Sequence, residues 1–262
     1  MNLEIKNRVA IVCGASKGMG FSCAQTLALE GVKVLMIARD EKALSEATRK
    51  IGNEGGTVEA YAGDVSDSNL PNLAVSRCEA LWGGVDILIN NAGGPPMGTF
   101  LEHDEASWDA AIQTNLMSVI RFFQAVTPNM KLNKWGRIIS ITSTVAKEPS
   151  PLMVLSATTR AGVAAFSKSL AIELAPFNIS SNVICPGGVL TDRLVDLLQA
   201  KAARENRSYQ DLLFESQQAI PAKRFAKPEE IAEVILFLAS EQGGYINGVS
   251  LNIDGALTRS LN

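Results

Sequence analysis

The sequence predicts an α/β protein built on a single doubly wound, Rossmann-type parallel sheet with helices on both faces. Short β-rich segments alternate with helix-forming segments along nearly the whole chain, as they do in βαβ units. The strand segments are continuous apolar runs rather than alternating ones, which indicates that both faces of the sheet are covered. A chain of 262 residues, 47% of them hydrophobic, also has enough apolar material for one large core.

The first half of the chain repeats one unit, a strand followed by a helix. Glycines between Gly14 and Gly20 interrupt the first apolar run, and Gly31 ends the helical segment that follows. Because the same order then recurs, we expect parallel strands joined by helical crossovers. The strands of this half are predicted at residues 8–13, 32–38, 57–62 and 86–90, and the helices at residues 21–30, 40–52 and 69–82.

The second half of the chain continues the alternation with longer helices and one polar segment. Residues 191–221 are more polar and helix-prone, and we predict a lid-like helical insertion there. No repeat, linker or low-complexity stretch interrupts residues 1–262, so we expect a single domain. The remaining predicted helices cover residues 105–131 and 156–174, and the remaining strands cover residues 137–142, 179–184 and 249–253.

Composition excludes several classes of function. The formal net charge of −3 and the absence of a basic run argue against a nucleic acid partner. The four cysteines form no paired motif and the chain has one histidine, so we expect no metal site. The first residues lack the apolar segment of a signal peptide, and no apolar run reaches membrane-spanning length. We therefore expect a cytoplasmic protein with no membrane partner.

A glycine-rich turn between the first strand and the first helix is the earliest functional signal in the chain. Glycines in this position let the chain turn tightly and let a diphosphate approach the backbone at a helix N-terminus. We therefore predict dinucleotide binding at this turn, with a plain tight turn as the alternative. The residues of the predicted site are Gly14, Ser16, Lys17, Gly18, Met19 and Gly20.

The spacing of these glycines, Gly-x3-Gly-x-Gly, resembles that of the short-chain dehydrogenase/reductase family, in particular its 3-oxoacyl-ACP reductase-like members. Further motifs of that family follow along nearly the whole chain. The resemblance implies a nicotinamide cofactor and hydride-transfer chemistry on a Rossmann-type fold. The motifs are Asp64-Val65 after the third strand, Asn90-Asn91-Ala92-Gly93 after the fourth, Asn115, Ser143, and Pro186-Gly187 followed by Thr191.

The same resemblance implies a role for each motif. Asp64 and Val65 would meet the adenine ring, and Asn115 and Ser143 would belong to the active site. Asn91, Ala92 and Gly93, after the fourth strand, would line the cofactor. The segment after the sixth strand would surround the nicotinamide carboxamide, through Pro186, Gly187, Val189 and Thr191.

The end of the second strand bears on the choice between NAD and NADP. An acidic residue there would accept hydrogen bonds from the adenosine ribose and repel a 2′-phosphate. Ala38 occupies the position where NAD-using members of the family carry Asp, and Arg39 follows it. The Arg39 guanidinium suits a phosphate and Lys17 adds a second cation, although each alone is also typical of a solvated surface. We therefore predict NADP(H) rather than NAD(H), with Asp40 directed into the start of the next helix.

The segment from Ser143 to Arg160 departs from the family pattern. Members of the family place a Tyr thirteen residues after the active-site Ser and a Lys four residues further on, and counting from Ser143 gives Ser156 and Arg160. The Lys of the family lowers the pKa of the phenol so that it can transfer a proton. A serine hydroxyl is a much weaker acid, and an arginine stays protonated. We predict that Ser156 and Arg160 share a helix face, and that Arg160 binds either the nicotinamide ribose or a developing alkoxide.

Two other side chains are alternative proton donors. Tyr209 lies in the predicted insertion, where packing within the lid is the competing interpretation. His103 lies on the loop after the fourth strand, where a solvated side chain is the competing interpretation. Lys168 follows Arg160 by eight residues, about 12 Å along a helix, which is too far to replace the missing Lys.

Three hypotheses for the function follow, in order of preference. The first is an NADP(H)-dependent carbonyl reductase or alcohol dehydrogenase with an atypical proton-transfer site. By resemblance its substrate is an oxoacyl thioester, a ketone or a cyclic secondary alcohol, and apolar residues of the insertion favour a moderately hydrophobic one. The second is a catalytically silent NADP(H)-binding regulatory or structural subunit, and the third is a lyase or dehydratase that leaves the cofactor idle. The resemblance also implies a homodimer or homotetramer, with interfaces on the helices at residues 105–131 and 156–174 and on the last strand.

Overall fold

The computed structural model describes residues 2–261 and has a seven-stranded sheet at its centre. In chain order the strands are β1 (Val9–Cys13), β2 (Lys33–Ala38), β3 (Val58–Ala62), β4 (Ile87–Asn90), β5 (Gly136–Ile141), β6 (Ile179–Pro186) and β7 (Ser250–Ile253). Their order across the sheet is β3-β2-β1-β4-β5-β6-β7, and every neighbouring pair is parallel. The predicted doubly wound α/β fold is therefore confirmed.

Helices cover both faces of the sheet, which accounts for the continuous apolar strands. They are α1 (Gly18–Leu29), α2 (Glu41–Asn53), α3 (Leu70–Trp82), α4 (Glu105–Ile112), α5 (Ser118–Asn133), α6 (Val154–Leu174), α7 (Asp192–Glu205), α8 (Tyr209–Ala219) and α9 (Pro228–Leu238). In β1, Ile11 packs into the core shared with α3, α5 and α6, whereas Val12 packs into the core shared with α1, α2 and α9. No helix among residues 2–261 is both long and apolar enough to cross a membrane.

Three helical segments differ from the predicted ones. α1 begins at Gly18 rather than at residue 21, because its glycines lie in the first turn, where they cost the helix little. The helix predicted at residues 105–131 is divided into α4 and α5 by a π-helical turn, Gln113–Met117. α9 is absent from the predicted elements, although Pro228 at its start and Glu229 in its first turn are signals for a helix N-terminus.

Residues 191–221, predicted as a helical insertion, contain α7 and α8. Polar contacts connect both ends of α7 to the rest of the protein. Asp192 pairs with Lys17 of the glycine turn at 2.8 Å, and Arg204 pairs with Glu102 at 3.1 Å. These contacts place α7 against the edge of the sheet at which β1 and β4 end.

Candidate active site

The carboxyl ends of β1, β4, β5 and β6 share one edge of the sheet, because all four strands are parallel. The chain crosses from one half of the sheet to the other at the pairing of β1 with β4, so the connections leave these strands in opposite directions. Such a switch point forms a crevice in which α/β proteins bind ligands. The predicted site residues on segments 14–17, 91–96, 142–147 and 187–191 lie at this crevice.

The glycine turn after β1 packs directly against the segment after β4. Gly14 has a φ of +61°, and a Cβ on it would lie 2.5 Å from the backbone oxygen of Asn91. A Cβ on Gly20 would lie 2.1 Å from the carbonyl oxygen of Gly14, so neither position has room for a side chain. The Asn91 Nδ2 donates a 3.3 Å hydrogen bond to the same carbonyl oxygen. These contacts hold the N-terminus of α1 at the mouth of the crevice.

The first turn of α1 fits the diphosphate of a dinucleotide. Lys17 precedes the helix in an extended conformation, and its side chain does not cap the first-turn N–H groups. Those N–H groups, at the positive end of the helix dipole, are therefore suited to an anion. Ser16, Lys17 and Gly18 line an open groove between α1 and α2, whereas Met19 packs against the apolar core.

Two exposed cations follow β1 and β2. The Arg39 side chain is 77% exposed, and its Nη1 lies 3.8 Å from the Asp64 Oδ2. The Lys17 Nζ donates a 2.8 Å hydrogen bond to the Asp192 Oδ2, and this contact raises the pKa of Lys17. Asp40 caps α2 through a 3.0 Å hydrogen bond from a first-turn N–H, which confirms its expected direction into the helix start. Arg39 is thus exposed beyond the end of β2, with the Asp64 carboxylate as its ion-pair partner.

Asn115 lies in the π-helical turn between α4 and α5. Its Nδ2 donates a 2.8 Å hydrogen bond to the Gly93 carbonyl oxygen, and only 6% of the residue is exposed. The wider turn directs this polar side chain toward the segment after β4. At the start of the same segment, the Asn90 Nδ2 donates to the Ser140 Oγ at 3.3 Å. Residues 90–93 are therefore held at both ends.

Ser143 comes after β5 and Thr142 and is half-buried at the crevice. Its backbone is extended, and its Oγ accepts a long 3.4 Å hydrogen bond from the Val145 N–H. The Ser143 O–H therefore remains able to donate to a ligand. Its role as an active-site donor stays a prediction.

Ser156 and Arg160 lie on one face of α6, as their i, i+4 spacing predicts. Ser156 is 3% exposed, and its Oγ accepts a 3.0 Å hydrogen bond from the Arg160 Nε–H. The Arg160 Nη1 donates to the carbonyl oxygens of Ile141, at 3.4 Å, and of Thr142. The guanidinium is thus fixed against the end of β5, next to the residue that precedes Ser143.

The Arg160 guanidinium is a permanent cation in this setting. Burial and, to a lesser extent, the nearby charge of Arg193 lower the pKa of Arg160 to about 10. That value is well above neutrality, so Arg160 keeps its proton and does not pass it to a substrate. It can still stabilise negative charge that develops on a neighbouring oxygen.

A small cavity lies between β4, β5, α5 and α6, under the crevice. Its volume is about 20 Å³, and Asn115, Thr142 and Arg160 are among the polar residues that line it. A space of this size with several polar partners accommodates one water molecule. Val65 and Ala92, both predicted to contact the cofactor, line the same cavity.

The segment after β6 closes the crevice on the side of α7. Pro186 ends β6, and Gly187 and Val189 follow it in the loop. Thr191 caps α7. A Cβ added to Gly18 would lie 3.2 Å from the Thr191 Cγ2, so the two residues are close neighbours. The loop after β6 therefore meets the glycine turn across the crevice.

Tyr209 and His103, the alternative proton donors, and Lys168, the possible substitute for the Lys, form no hydrogen bond with the groups above in the described part of the chain. Tyr209 is the first residue of α8 and is half-buried in the lid. His103 folds back on its own loop, where its Nε2 is buried without a hydrogen-bond partner. Lys168 packs against the loop before β7. None of the three hydrogen-bonds to Ser143 or Arg160 within the residues that the structure describes.

Arg193, in the first turn of α7, belongs to the crevice although no motif of the sequence marks it. Its Nη2 donates a 2.6 Å hydrogen bond to the Pro95 carbonyl oxygen. The position of Arg193 two residues after Thr191, on the helix that borders the crevice, is the signal that could have identified it. Its burial lowers the pKa of the guanidinium.

Comparisons with known proteins agree on one family. A family model described as short chain dehydrogenase matches residues 8–202. Nodulation protein G of Azospirillum brasilense is 36% identical over 97% of this chain and 99% of its own length. The 3-oxoacyl-acyl-carrier-protein reductase of Chlamydia muridarum is 34% identical over 98% of this chain and 100% of its own length. The crystal structure of L-sorbose reductase from Gluconobacter frateurii, complexed with NADPH and L-sorbose, covers 100% of both chains with a TM-score of 0.94 and 31% identity.

Proposed function

Because this chain belongs to the short-chain dehydrogenase family, we propose that it is an NADP(H)-dependent oxidoreductase. It would move a hydride between the nicotinamide and the carbon of a carbonyl group or a secondary alcohol. The observation that carries the proposal is the meeting of two groups of residues at one crevice. The uncapped N-terminus of α1 lies on one side, and the Ser143 hydroxyl with the Arg160 guanidinium lies on the other. A related reductase crystallised with NADPH supports the same chemistry.

The proposed cofactor-binding residues divide along the length of a dinucleotide. The turn Gly14–Gly20 would receive the diphosphate, and Arg39 with Lys17 would bind the adenosine 2′-phosphate. Asp64 and Val65 would meet the adenine ring. When bound, NADPH would supply the hydride. The nicotinamide half would lie against Asn91, Ala92, Gly93, Pro186, Gly187, Val189 and Thr191.

The side chains of the crevice would stabilise the charge that hydride transfer creates. A hydride that reaches a carbonyl carbon leaves negative charge on the oxygen, and that oxygen must then gain a proton. The Ser143 O–H donates to this oxygen, and the fixed charge of Arg160 lowers its energy. Ser156 positions Arg160 through their 3.0 Å hydrogen bond and acts only through it.

The proton would come from water rather than from a side-chain acid. Arg160 keeps its proton because its pKa is about 10, and a serine hydroxyl is a weak acid. The cavity between Asn115 and Arg160 has room for one such water. General acid catalysis typically contributes on the order of 10² to 10⁴ in rate. We therefore expect turnover to be slower by about that factor than in members of the family that keep the Tyr.

Absorbance at the NADPH band tests the proposal directly. The protein is incubated with NADPH and a panel of ketones, oxoacyl thioesters and oxo acids, and with NADP⁺ and the matching alcohols. We expect loss of NADPH absorbance with one class of carbonyl compound, matched by formation of the alcohol. The Ser143→Ala variant is the control for NADPH loss that does not depend on the active site, and it should lose most of the activity. A protein that binds NADPH but consumes no compound of the panel would contradict the enzymatic proposal.

A catalytically silent NADP(H)-binding subunit is the second candidate. Ser156 and Arg160 favour this candidate, because neither side chain readily transfers a proton to a substrate. The glycine turn on the other side of the crevice would still allow the protein to bind the cofactor. The double variant Ser156→Tyr with Arg160→Lys distinguishes the two candidates. Activity that arises only in the double variant supports the silent subunit, whereas faster turnover by the wild type excludes it.

We also propose that the protein forms homodimers or homotetramers in the cytoplasm. Large apolar side chains are exposed on the elements predicted as interfaces or directly beside them, among them Ile172 on α6 (71%), Leu251 on β7 (40%) and Leu132 (81%), one residue beyond the predicted helix 105–131. All four cysteines are free and buried, as is usual for proteins of a reducing compartment. Gel filtration at micromolar concentration tests the assembly, and a monomer would contradict it.

A further inference from the structure

Two guanidinium groups converge on the segment that follows β4. The Nη2 of Arg193 lies 3.2 Å, and the Nη2 of Arg160 3.6 Å, from the point that a Cβ on Gly94 would occupy. Arg160 reaches this point from α6, and Arg193 reaches it from the first turn of α7. Gly94 directly follows Gly93, which the proposed function places against the nicotinamide. The two cations therefore meet at the inner end of the crevice, where a substrate would lie.

Both arginines keep N–H groups that no protein atom among residues 2–261 accepts. Arg160 uses its Nε for Ser156 and its Nη1 for the end of β5, which leaves its Nη2 without an acceptor. Arg193 donates from its Nη2 to the Pro95 carbonyl oxygen. Its Nε lies 3.5 Å from the same Gly94 point and has no acceptor. One unused donor of each side chain therefore lies within 3.6 Å of the same point beside Gly94.

The charge of Asp196 on α7 acts on Arg193, but it raises the pKa of Arg193 less than burial lowers it. Within residues 2–261 no carboxylate forms an ion pair with Arg160 or Arg193, although other basic residues around α7 have such partners. Burial lowers the pKa of both guanidinium groups, and the charge of Arg193 lowers that of Arg160 further. Two half-buried like charges at one point raise the free energy of the ligand-free protein, and a bound anion would relieve their repulsion.

We propose that Arg193, together with the Nη2 of Arg160, binds a carboxylate group of the substrate, and that the Arg160 charge acts on this carboxylate as well as on the reacting oxygen next to it. The inference rests on the proposed reductase function and specifies its substrate class. The Arg160 Nη2 and the Arg193 Nε would each donate to a carboxylate oxygen, and such charge-assisted hydrogen bonds are about twice as strong as neutral ones. The subsite therefore selects an oxo acid over a neutral ketone.

The contacts of Arg160 limit the separation between the carboxylate and the reacting carbonyl. Its Nη1 donates to the carbonyl oxygen of Thr142, the residue before Ser143, so the subsite and the proposed carbonyl donor are neighbours. We therefore take as candidate substrates the acids whose carboxylate is closest to the carbonyl group, the 2-oxo and 3-oxo acids. The glycine turn contacts Asp192 and Thr191 at the start of α7, so variants of Arg193 must also be tested for NADPH binding.

Matched pairs of substrates test the subsite. Each 2-oxo or 3-oxo acid is compared with its methyl ester, which keeps the carbonyl group and removes the charge. We expect kcat/KM for the acid to exceed that for the ester by on the order of 100-fold. Esters that react as well as the acids would overturn the carboxylate subsite and leave the reductase proposal intact.

Substitutions on α7 separate the subsite from general effects on the lid. Arg193→Gln should raise KM for the acid on the order of 10- to 100-fold with little effect on the ester, and Arg193→Lys should recover part of the loss. Lys201→Gln is the matched control, because Lys201 lies on the same helix and pairs with Glu205 of that helix. An equal loss for acid and ester in Arg193→Gln would contradict the proposal.

Binding measurements decide the matter even without turnover. Calorimetric titration of the NADP⁺ complex with the corresponding 2-hydroxy or 3-hydroxy acid should show binding that Arg193→Gln weakens and Lys201→Gln leaves unchanged. If no compound is reduced but this binding is present, the reductase proposal fails and the subsite stands. Absence of binding overturns the subsite. A loss of NADPH affinity in Arg193→Gln also overturns it, because the arginine pair would then belong to the cofactor.

Discussion

The Nε–H of Arg160 donates a 3.0 Å hydrogen bond to the Oγ of Ser156, one helical turn earlier on α6. Ser156 is 3% exposed, so bulk water does not compete for this contact. The two residues act as a unit, in which the serine fixes the plane of the guanidinium and the guanidinium carries the charge. By the resemblance to the family, Ser156 stands at the position of the Tyr and Arg160 at that of the Lys, so the pair offers a fixed cation and no titrating acid.

Replacing Ser156 with alanine removes the acceptor of the Arg160 Nε–H and lets the guanidinium rotate. We expect kcat to fall roughly 10-fold, or about 1.4 kcal/mol in activation free energy, with NADPH affinity unchanged. Steady-state NADPH oxidation and fluorescence titration measure the two quantities. Ser169→Ala, on an exposed turn of the same helix, is the control and should match the wild type. A loss of NADPH affinity in Ser156→Ala would contradict a positioning role at the carbonyl.

Removing the Arg39 charge should weaken NADPH binding and leave NADH binding nearly unchanged. Only NADPH carries a 2′-phosphate with which the exposed guanidinium can pair. We expect Arg39→Gln to raise the Kd for NADPH on the order of 10-fold in a fluorescence titration at low salt. Arg77→Gln is the control, since Arg77 pairs with Glu59 on another part of the surface. An equal loss for both cofactors would refute this assignment of Arg39.

Arg137 lies in β5, and its buried guanidinium should stabilise the folded protein. It is 1% exposed, its Nε donates to the Ser240 carbonyl oxygen at 3.1 Å, and its guanidinium lies 4.4 Å from the centre of the Trp135 ring. Arg137→Met would leave buried carbonyl oxygens without a donor, so we expect the free energy of unfolding to fall by about 3 kcal/mol or more. Urea denaturation measures this change. Arg207→Met removes an exposed ion pair on the lid and should change the same quantity by less than about 1 kcal/mol.

Stability in acid should depend on Glu230, near the start of α9. Hydrogen bonds from the Arg224 guanidinium and the Lys227 N–H lower its pKa to about 2 from an ordinary 4.5. The resulting stabilisation is present above about pH 4.5 and is lost as the pH falls toward 2, because the unfolded chain then binds the proton more readily. We expect Glu230→Gln to lower Tm at pH 6 and to match the wild type near pH 2 in scanning calorimetry.

The control for this pH dependence lies on the same helix. Glu233 is exposed and forms no ion pair among residues 2–261, so Glu233→Gln should follow the wild-type Tm at every pH. A difference between Glu230→Gln and the wild type that persists unchanged to pH 2 would show that the carboxylate charge is not the cause.

The fold could be predicted because buried strands have a strong local signature. Residues such as Ile11 and Ile139 belong to continuous apolar runs, since helices pack on both faces of the sheet. The contact between Ser156 and Arg160 is also local, because i, i+4 spacing on a helix brings two side chains together. Local patterns therefore predicted the sheet and the central pair of the candidate site.

Other parts of the site depend on how distant segments are placed. The convergence of Arg160 and Arg193 depends on the position of α7 over the crevice, which no spacing between the two residues indicates. The turn Gln113–Met117 contains neither glycine nor proline, so nothing in its sequence separates it from the helices on either side. Both features are determined by tertiary structure rather than by a local sequence pattern.

The π-helical turn Gln113–Met117 sets the rotational phase between α4 and α5. Each residue of an α-helix advances the chain by about 100°, so deleting one residue here would allow a regular helix and rotate everything before it by that angle. Asn115 would swing away from the Gly93 carbonyl oxygen, and α4 would turn a different face toward the protein. At this point the number of residues in the chain governs the geometry of the crevice as strongly as their identity.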